Sequence, residues 1–171
     1  HRSTTHPGPF NVLASPSSIV VEKTILDLEA HSHIFDLMGF APSHYNKVNI
    51  HVGGAYGDPT SALERFCSNF QSRLSDNLKK RLTVENDDRA NLYSVMALYE
   101  GVFQKVGIPI VFDYHHHHFC SGGLSEQEAL ELSLSTWPKH TKPVVHYSES
   151  KESHNGGQKP TPAHSDIVYG P

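Results

Sequence analysis

Four side chains able to hold a metal occupy equivalent places in this chain. Each closes a short apolar run: Val48-Asn-Ile50 leads into His51, Leu82-Thr-Val84 into Glu85, Ile108-Pro-Ile-Val-Phe112 into Asp113, and Val144-Val145 into His146. Successive runs lie roughly 30 residues apart, the length of one strand, one helix and two loops. If the runs are strands of a parallel α/β barrel, their C-terminal ends point to one face, where such barrels build active sites. Imidazoles and carboxylates distant in sequence would converge there. A mixed set of that kind suits manganese, zinc or iron, and the lack of sulfur in it argues against a structural thiolate zinc site. Behind Asp113 comes the stretch His115 to His118. Asp113 and His116, three apart, face a common metal if the backbone turns directly after the strand, and the other imidazoles would then orient ligands from behind. One strand-end histidine alone is more often a hydrogen-bonded loop residue. The recurrence of the same position is what points to a site.

The elements needed to place these residues are legible as alternation. The N-terminus, Arg2-Ser-Thr-Thr5, reads as a strand end, with His6-Pro-Gly8 as its loop. Ser15-Pro16 then suits an N-cap with proline at the first helical position, opening a helix with Ile19, Val20, Ile25, Leu28, Phe35 and Leu37 that stops at Gly39. Asp58-Pro59 opens a second helix with the stripe Leu63, Phe66, Phe70 and Leu74. A third is expected over 91–106, ending at Gly107. Ser125-Glu-Gln-Glu128 is a capping box, and the helix behind it carries Leu130, Leu132 and Leu134. From Ser148 onward the chain turns polar and suggests no regular element, although Ile167-Val-Tyr169 resembles the beginning of one.

Strand and helix therefore alternate, as in a parallel sheet covered by helices. The fold class expected is α/β, of the TIM (β/α)8-barrel type. About five parallel strands are visible where a whole barrel has eight, so a single partial barrel domain over 1–171 is expected, with 148–171 as a polar, loop-rich tail.

Composition sets bounds on function. With 37% hydrophobic and 19% charged residues in 171, the chain suits one globular domain. No apolar run approaches the ~20 residues that cross a bilayer, so no membrane partner is expected. The two cysteines, Cys67 and Cys120, make no disulfide framework, and Cys67 is expected as a small buried hydrophobe within its helix. A cytoplasmic setting, or a nuclear one in a eukaryote, is the default. The formal charge of −4 has the wrong sign for a phosphate substrate unless two or three divalent cations reverse the local potential. Lys79-Lys-Arg81 sits before a strand, on the face away from the site, and reads as solvated surface. Asp87 and Asp88 are as readily loop acids as site groups. Glycines 53, 54 and 57 either let backbone approach a phosphate or serve a tight turn.

Several segments together resemble the UV damage endonucleases: His6-Pro-Gly8 followed by Phe10-Asn-Val-Leu-Ala-Ser15, His51-Val-Gly-Gly-Ala-Tyr-Gly57, Leu82-Thr-Val-Glu-Asn-Asp-Asp88, Val111-Phe-Asp-Tyr-His-His-His117 and Val145-His-Tyr-Ser-Glu149. The resemblance runs over roughly residues 2 to 168. That family belongs with the xylose isomerase-like barrels, and the resemblance implies a TIM barrel holding a cluster of divalent metals. Manganese is usual, as two or three ions, with Zn²⁺ or Mg²⁺ as alternatives. It implies DNA nicked 5′ to ultraviolet photoproducts, damaged double-stranded DNA as partner, and a monomer at full length. The implied metal ligands are His6, His51, Glu85, Asp113, His116, His146 and His164, with Glu85, Asp113 and His146 catalytic and Phe10 and Asn11 at the lesion. Two positions depart from the pattern. Pro9 stands where many members have a glutamine that probes the duplex, and Val144 where many carry a lysine. The family's first two strands and its last, which bears a further glutamate ligand, are expected to lie outside these residues. The rival expectations are a sugar isomerase or epimerase on the same barrel, and an inactive metal-binding remnant.

Overall fold

The computed structural model describes residues 2–154 and 159–168. Five strands, β1 (Thr4–Thr5), β2 (Lys47–Ile50), β3 (Leu82–Glu85), β4 (Ile110–Asp113) and β5 (Val145–His146), form one sheet in sequence order. Every neighbouring pair is parallel. The five strand ends read from the sequence are the five observed, although β5 is shorter than the run 143–147 suggested. Sequential order with all strands parallel is how a barrel sheet grows, each strand returning over a helix on one side.

Each strand of the β2–β4 group is buried along its whole length, and its two faces do different work. Val48, Ile50, Leu82, Val84 and Ile110 belong to the main apolar core under the helices. The alternate residues carry polar groups inward. Lys47 Nζ donates to Thr4 Oγ1 at 2.5 Å, and Thr83 Oγ1 donates to Asn49 Oδ1 at 2.8 Å. Period-2 alternation thus separates the core from the site.

The helices are α1 (Ser18–Leu37), α2 (Pro59–Arg73), α3 (Asp76–Arg81), α4 (Val95–Leu98), α5 (Gln104–Val106), α6 (Tyr114–Phe119) and α7 (Glu126–Ser135). A π-helical turn, Tyr99–Phe103, joins α4 to α5. α2 begins as expected, with the Asp58 side chain accepting from Ser61 N and Pro59 in the first turn. Its stripe of Leu63, Phe66, Phe70 and Leu74 is buried, as is Cys67. The capping box on Ser125 and Glu128 is formed.

Several readings are corrected. The N-cap of α1 is Ser17, not Ser15. Ser15 Oγ instead accepts from Ser17 N. With the helix starting later, its buried stripe becomes Val21, Thr24, Leu28, Ser32 and Phe35, and Ile19 and Leu37 face outward. α7 likewise buries Ala129 and Ser133, while Leu134 is exposed. Arg81 is not solvated surface. It is fully buried, donating to the carbonyls of Phe40, Ala41 and Asn46 and to Asp36, and so ties the end of α1 to the strands. The polar tail also has structure among its described residues: a 3-10 turn at Lys151–His154 and an antiparallel bridge between Ser150 and His164. Ile167 and Val168 form no regular element, and Tyr169 lies outside the described residues.

Candidate metal centre

Glu85 ends β3 and is the hub. Its carboxylate is almost wholly buried, yet among the described residues its ion-pair partners are three imidazoles, with no lysine or arginine. His146 Nδ1 lies 3.0 Å from Oε2, His6 Nε2 3.3 Å from Oε2, and His116 Nδ1 3.5 Å from Oε1. The Asn49 side-chain amide also donates to Oε2. His51, at the end of β2, turns Nδ1 to within 3.2 Å of Asp87 Oδ1, off the line of a good hydrogen bond. The ring thus has a carboxylate behind it, as metal-bound histidines commonly do.

Asp113 ends β4 and serves two purposes. Its Oδ1 accepts from His116 N at 2.9 Å, making it the N-cap of α6. That cap turns the chain at once into a helix and swings His116 back over the strand ends. His116 Nδ1 is engaged by Asn86 O at 2.8 Å, which leaves Nε2 facing His164 Nε2 at 3.1 Å. Asn86 also clamps Asp113 through both its backbone N–H and its carbonyl. His164 comes from the tail, with Nδ1 2.7 Å from Ser148 Oγ.

Two groups of donor atoms are compact enough to hold a cation: His6, His51 and Glu85, and Glu85, Asp113 and His116, each with its atoms within 4.8 Å of one another. They share Glu85, and His146 and His164 adjoin them. All seven residues expected as ligands are thereby brought to one rim, and all seven line a single open cleft with Pro9 and Ser148. The lesion-contact candidates lie at the border. Phe10 is 88% exposed, and the Asn11 amide is committed to Asp27 Oδ2 and Gly8 O. Asn49 and Asn86 were not singled out as site residues from the sequence, and Asp87 was read as equally a loop acid or a site group. Their signal was available in part: a polar residue inside an apolar strand, and acids directly behind a candidate ligand.

The electrostatics favour bound cations. Burial pushes the Glu85 carboxyl up, but hydrogen bonds with His146 and His6 and the charges of His146 and His51 more than reverse this, leaving it well below the usual carboxylate range. The hydrogen bond to Glu85 holds His146 above its usual value against the opposing effect of burial. Burial pulls His51 down, and contact with Asp87 together with the fields of Glu85 and Asp88 overcomes it. A buried carboxylate ringed by imidazoles demands positive charge, and these donors suit a divalent ion.

A parallel, sequentially ordered α/β sheet with an imidazole–carboxylate rim at its strand ends defines a partial α/β barrel with a candidate metal site. Residues 1–170 match the UV-endonuclease UvdE family, and the chain belongs to that family. It is 40% identical over 162 residues to a UV-damage endonuclease of Neurospora crassa, covering 87% of this chain and 24% of that protein. It is 37% identical over 171 residues to a UV DNA damage endonuclease of Bacillus mycoides, covering 98% of this chain and 50% of that protein. The crystal structure of SacUVDE superposes with a TM-score of 0.84 at 35% identity, over 98% of this chain and 53% of that one. The chain thus spans between about a quarter and about half of the length of these relatives. Among the described residues, no helix is long and apolar enough to cross a membrane.

Proposed function

We propose that this chain is the metal-bearing portion of a DNA repair endonuclease that nicks the backbone 5′ to ultraviolet photoproducts. The observation that carries the reading is the pair of donor groups sharing Glu85 at the strand ends. Family membership names the chemistry to look for.

In this reading His6, His51, Glu85, Asp113, His116, His146 and His164 hold two or three divalent cations, with manganese as the first choice. When bound, such cations lower the pKa of a water, neutralise the scissile phosphate and stabilise the leaving oxygen. The chain's own groups prepare the site. Asp87 and Asn86 fix the rings of His51 and His116 from behind. Asn49 fixes Glu85. His146, with Nδ1 3.0 Å from Glu85 Oε2, is the side chain best placed to exchange a proton there. Phe10, exposed beside the cleft, suits stacking against unpaired bases. Pro9 offers no side-chain hydrogen bond, so the apolar contact of Phe10 carries more of the lesion reading. Damaged double-stranded DNA is the partner, the full-length protein acts as a monomer, and the compartment is that of the DNA, cytoplasm or nucleus.

A nicking assay on supercoiled plasmid with Mn²⁺ tests this. Irradiated plasmid should be nicked and the unirradiated control left intact. Equal cleavage of both refutes lesion specificity, and cleavage of neither refutes the nuclease assignment.

A further inference from the structure

We propose that Tyr56 is a nucleobase-stacking residue, its ring forming the platform on which an unpaired base of the substrate strand rests. This deepens the nuclease reading above and rests on it.

Among the described residues Tyr56 is the one non-glycine at positive φ, 52°. Gly57 follows at φ 82°, and Asp58 N donates to Ala55 O at 3.0 Å, closing a tight turn with both central residues left-handed. Turns of that kind prefer Asn-Gly, because asparagine tolerates the left-handed region and bulky side chains do not. A tyrosine there works against the local backbone preference, and such strain gathers at ligand clamps.

The ring's surroundings say what it would clamp. Tyr56 is 46% exposed and lines a cleft of about 600 Å³ that also contains His6, His51 and His116. One side of the ring rests against Gly54. The Arg65 guanidinium stands over the ring, its Cζ 5.8 Å from the centroid and its Nε anchored on Ala14 O at 2.9 Å, and the ring stays partly exposed beside it. Asp87 and Asp88 line the same cleft. Asp88 is paired with Arg89 and Asp87 with His51, so the aromatic ring is what distinguishes this part of the cleft, and an uncharged planar base suits it. Stacking on an aromatic side chain tolerates any base, which fits an enzyme that must accept damaged ones.

Two variants of the full-length protein, Tyr56→Asn and Tyr56→Phe, test the assignment by steady-state nicking of an oligonucleotide carrying one photoproduct. Asparagine suits the turn, so Tyr56→Asn should melt no lower than wild type. Its KM should rise on the order of tenfold with little change in kcat. Tyr56→Phe keeps the platform and should retain the wild-type KM. If wild type nicks and Tyr56→Asn keeps the wild-type KM, the Tyr56 assignment is overturned while the nuclease reading stands. It is overturned equally if Tyr56→Phe loses as much as Tyr56→Asn. If wild type itself does not nick, the nuclease reading fails and this inference with it.

Discussion

His116 Nε2 and His164 Nε2 face each other at 3.1 Å across 48 residues of sequence. Two imidazole nitrogens at that distance either share one proton or turn their lone pairs toward a common cation. His164 is delivered by the tail through the Ser150 bridge, outside the sheet. His164→Ala should therefore leave the melting temperature close to wild type and weaken Mn²⁺ binding by about 10-fold or more. Isothermal titration of the metal checks this. Unchanged affinity would remove His164 from the ligand set.

Glu85→Gln keeps the shape of the hub and removes its charge. Because both donor groups use Glu85, high-affinity binding should be lost at both, and nicking should fall by at least about 100-fold, the scale expected when a metal-assisted step loses its cation. Retention of one tight site would mean that the groups do not share this ligand.

The pH dependence follows from the shifts at the centre. His51 and His146 are raised above 6.5 in the metal-free protein. A raised histidine contributes stability that is fully present below its unfolded pKa and lost as pH rises through the folded value. The metal-free protein should thus lose stability as pH climbs above 6.5. Metal must displace those protons, so affinity for Mn²⁺ should move the opposite way, strengthening over the same window. Thermal melts with EDTA and with Mn²⁺ across pH 5.5 to 8.5 (roughly spanning the histidine range) should show opposed trends. Parallel trends would contradict the protonated-imidazole picture.

Arg81→Met separates folding from chemistry. The guanidinium is fully buried and serves three backbone carbonyls besides Asp36. Its loss strands those acceptors and should cost about 3 kcal/mol of stability, measured by urea denaturation. Metal affinity at a temperature where the variant is folded should be unaffected, since Arg81 sits before β3 rather than at its end.

The strand ends were legible because an apolar run stopping at a ligand is a local signal, repeated here in step. His51, Glu85, Asp113 and His146 could be read from that repetition. His116 could be read only conditionally, from its spacing to Asp113, because the cap that bends the chain after Asp113 is not visible in a pattern, and His6 and His164 came from the family resemblance, the latter because a bridge folds the tail back. α3 and α6 were missed since each is only six residues long, too short for a periodic stripe. The outward Ile19 and Leu37 misled the reading of α1, because apolar residues on two sides of a helix leave its buried side undetermined by pattern. Arg81 escaped because burial of a cation depends on carbonyls brought from 35 to 41 residues away.

Anomalous diffraction from crystals soaked in Mn²⁺ tests the metal centre most directly. Peaks are expected at both donor groups, one among His6, His51 and Glu85 and one among Glu85, Asp113 and His116. Ordered crystals with no peak at either group would contradict the account.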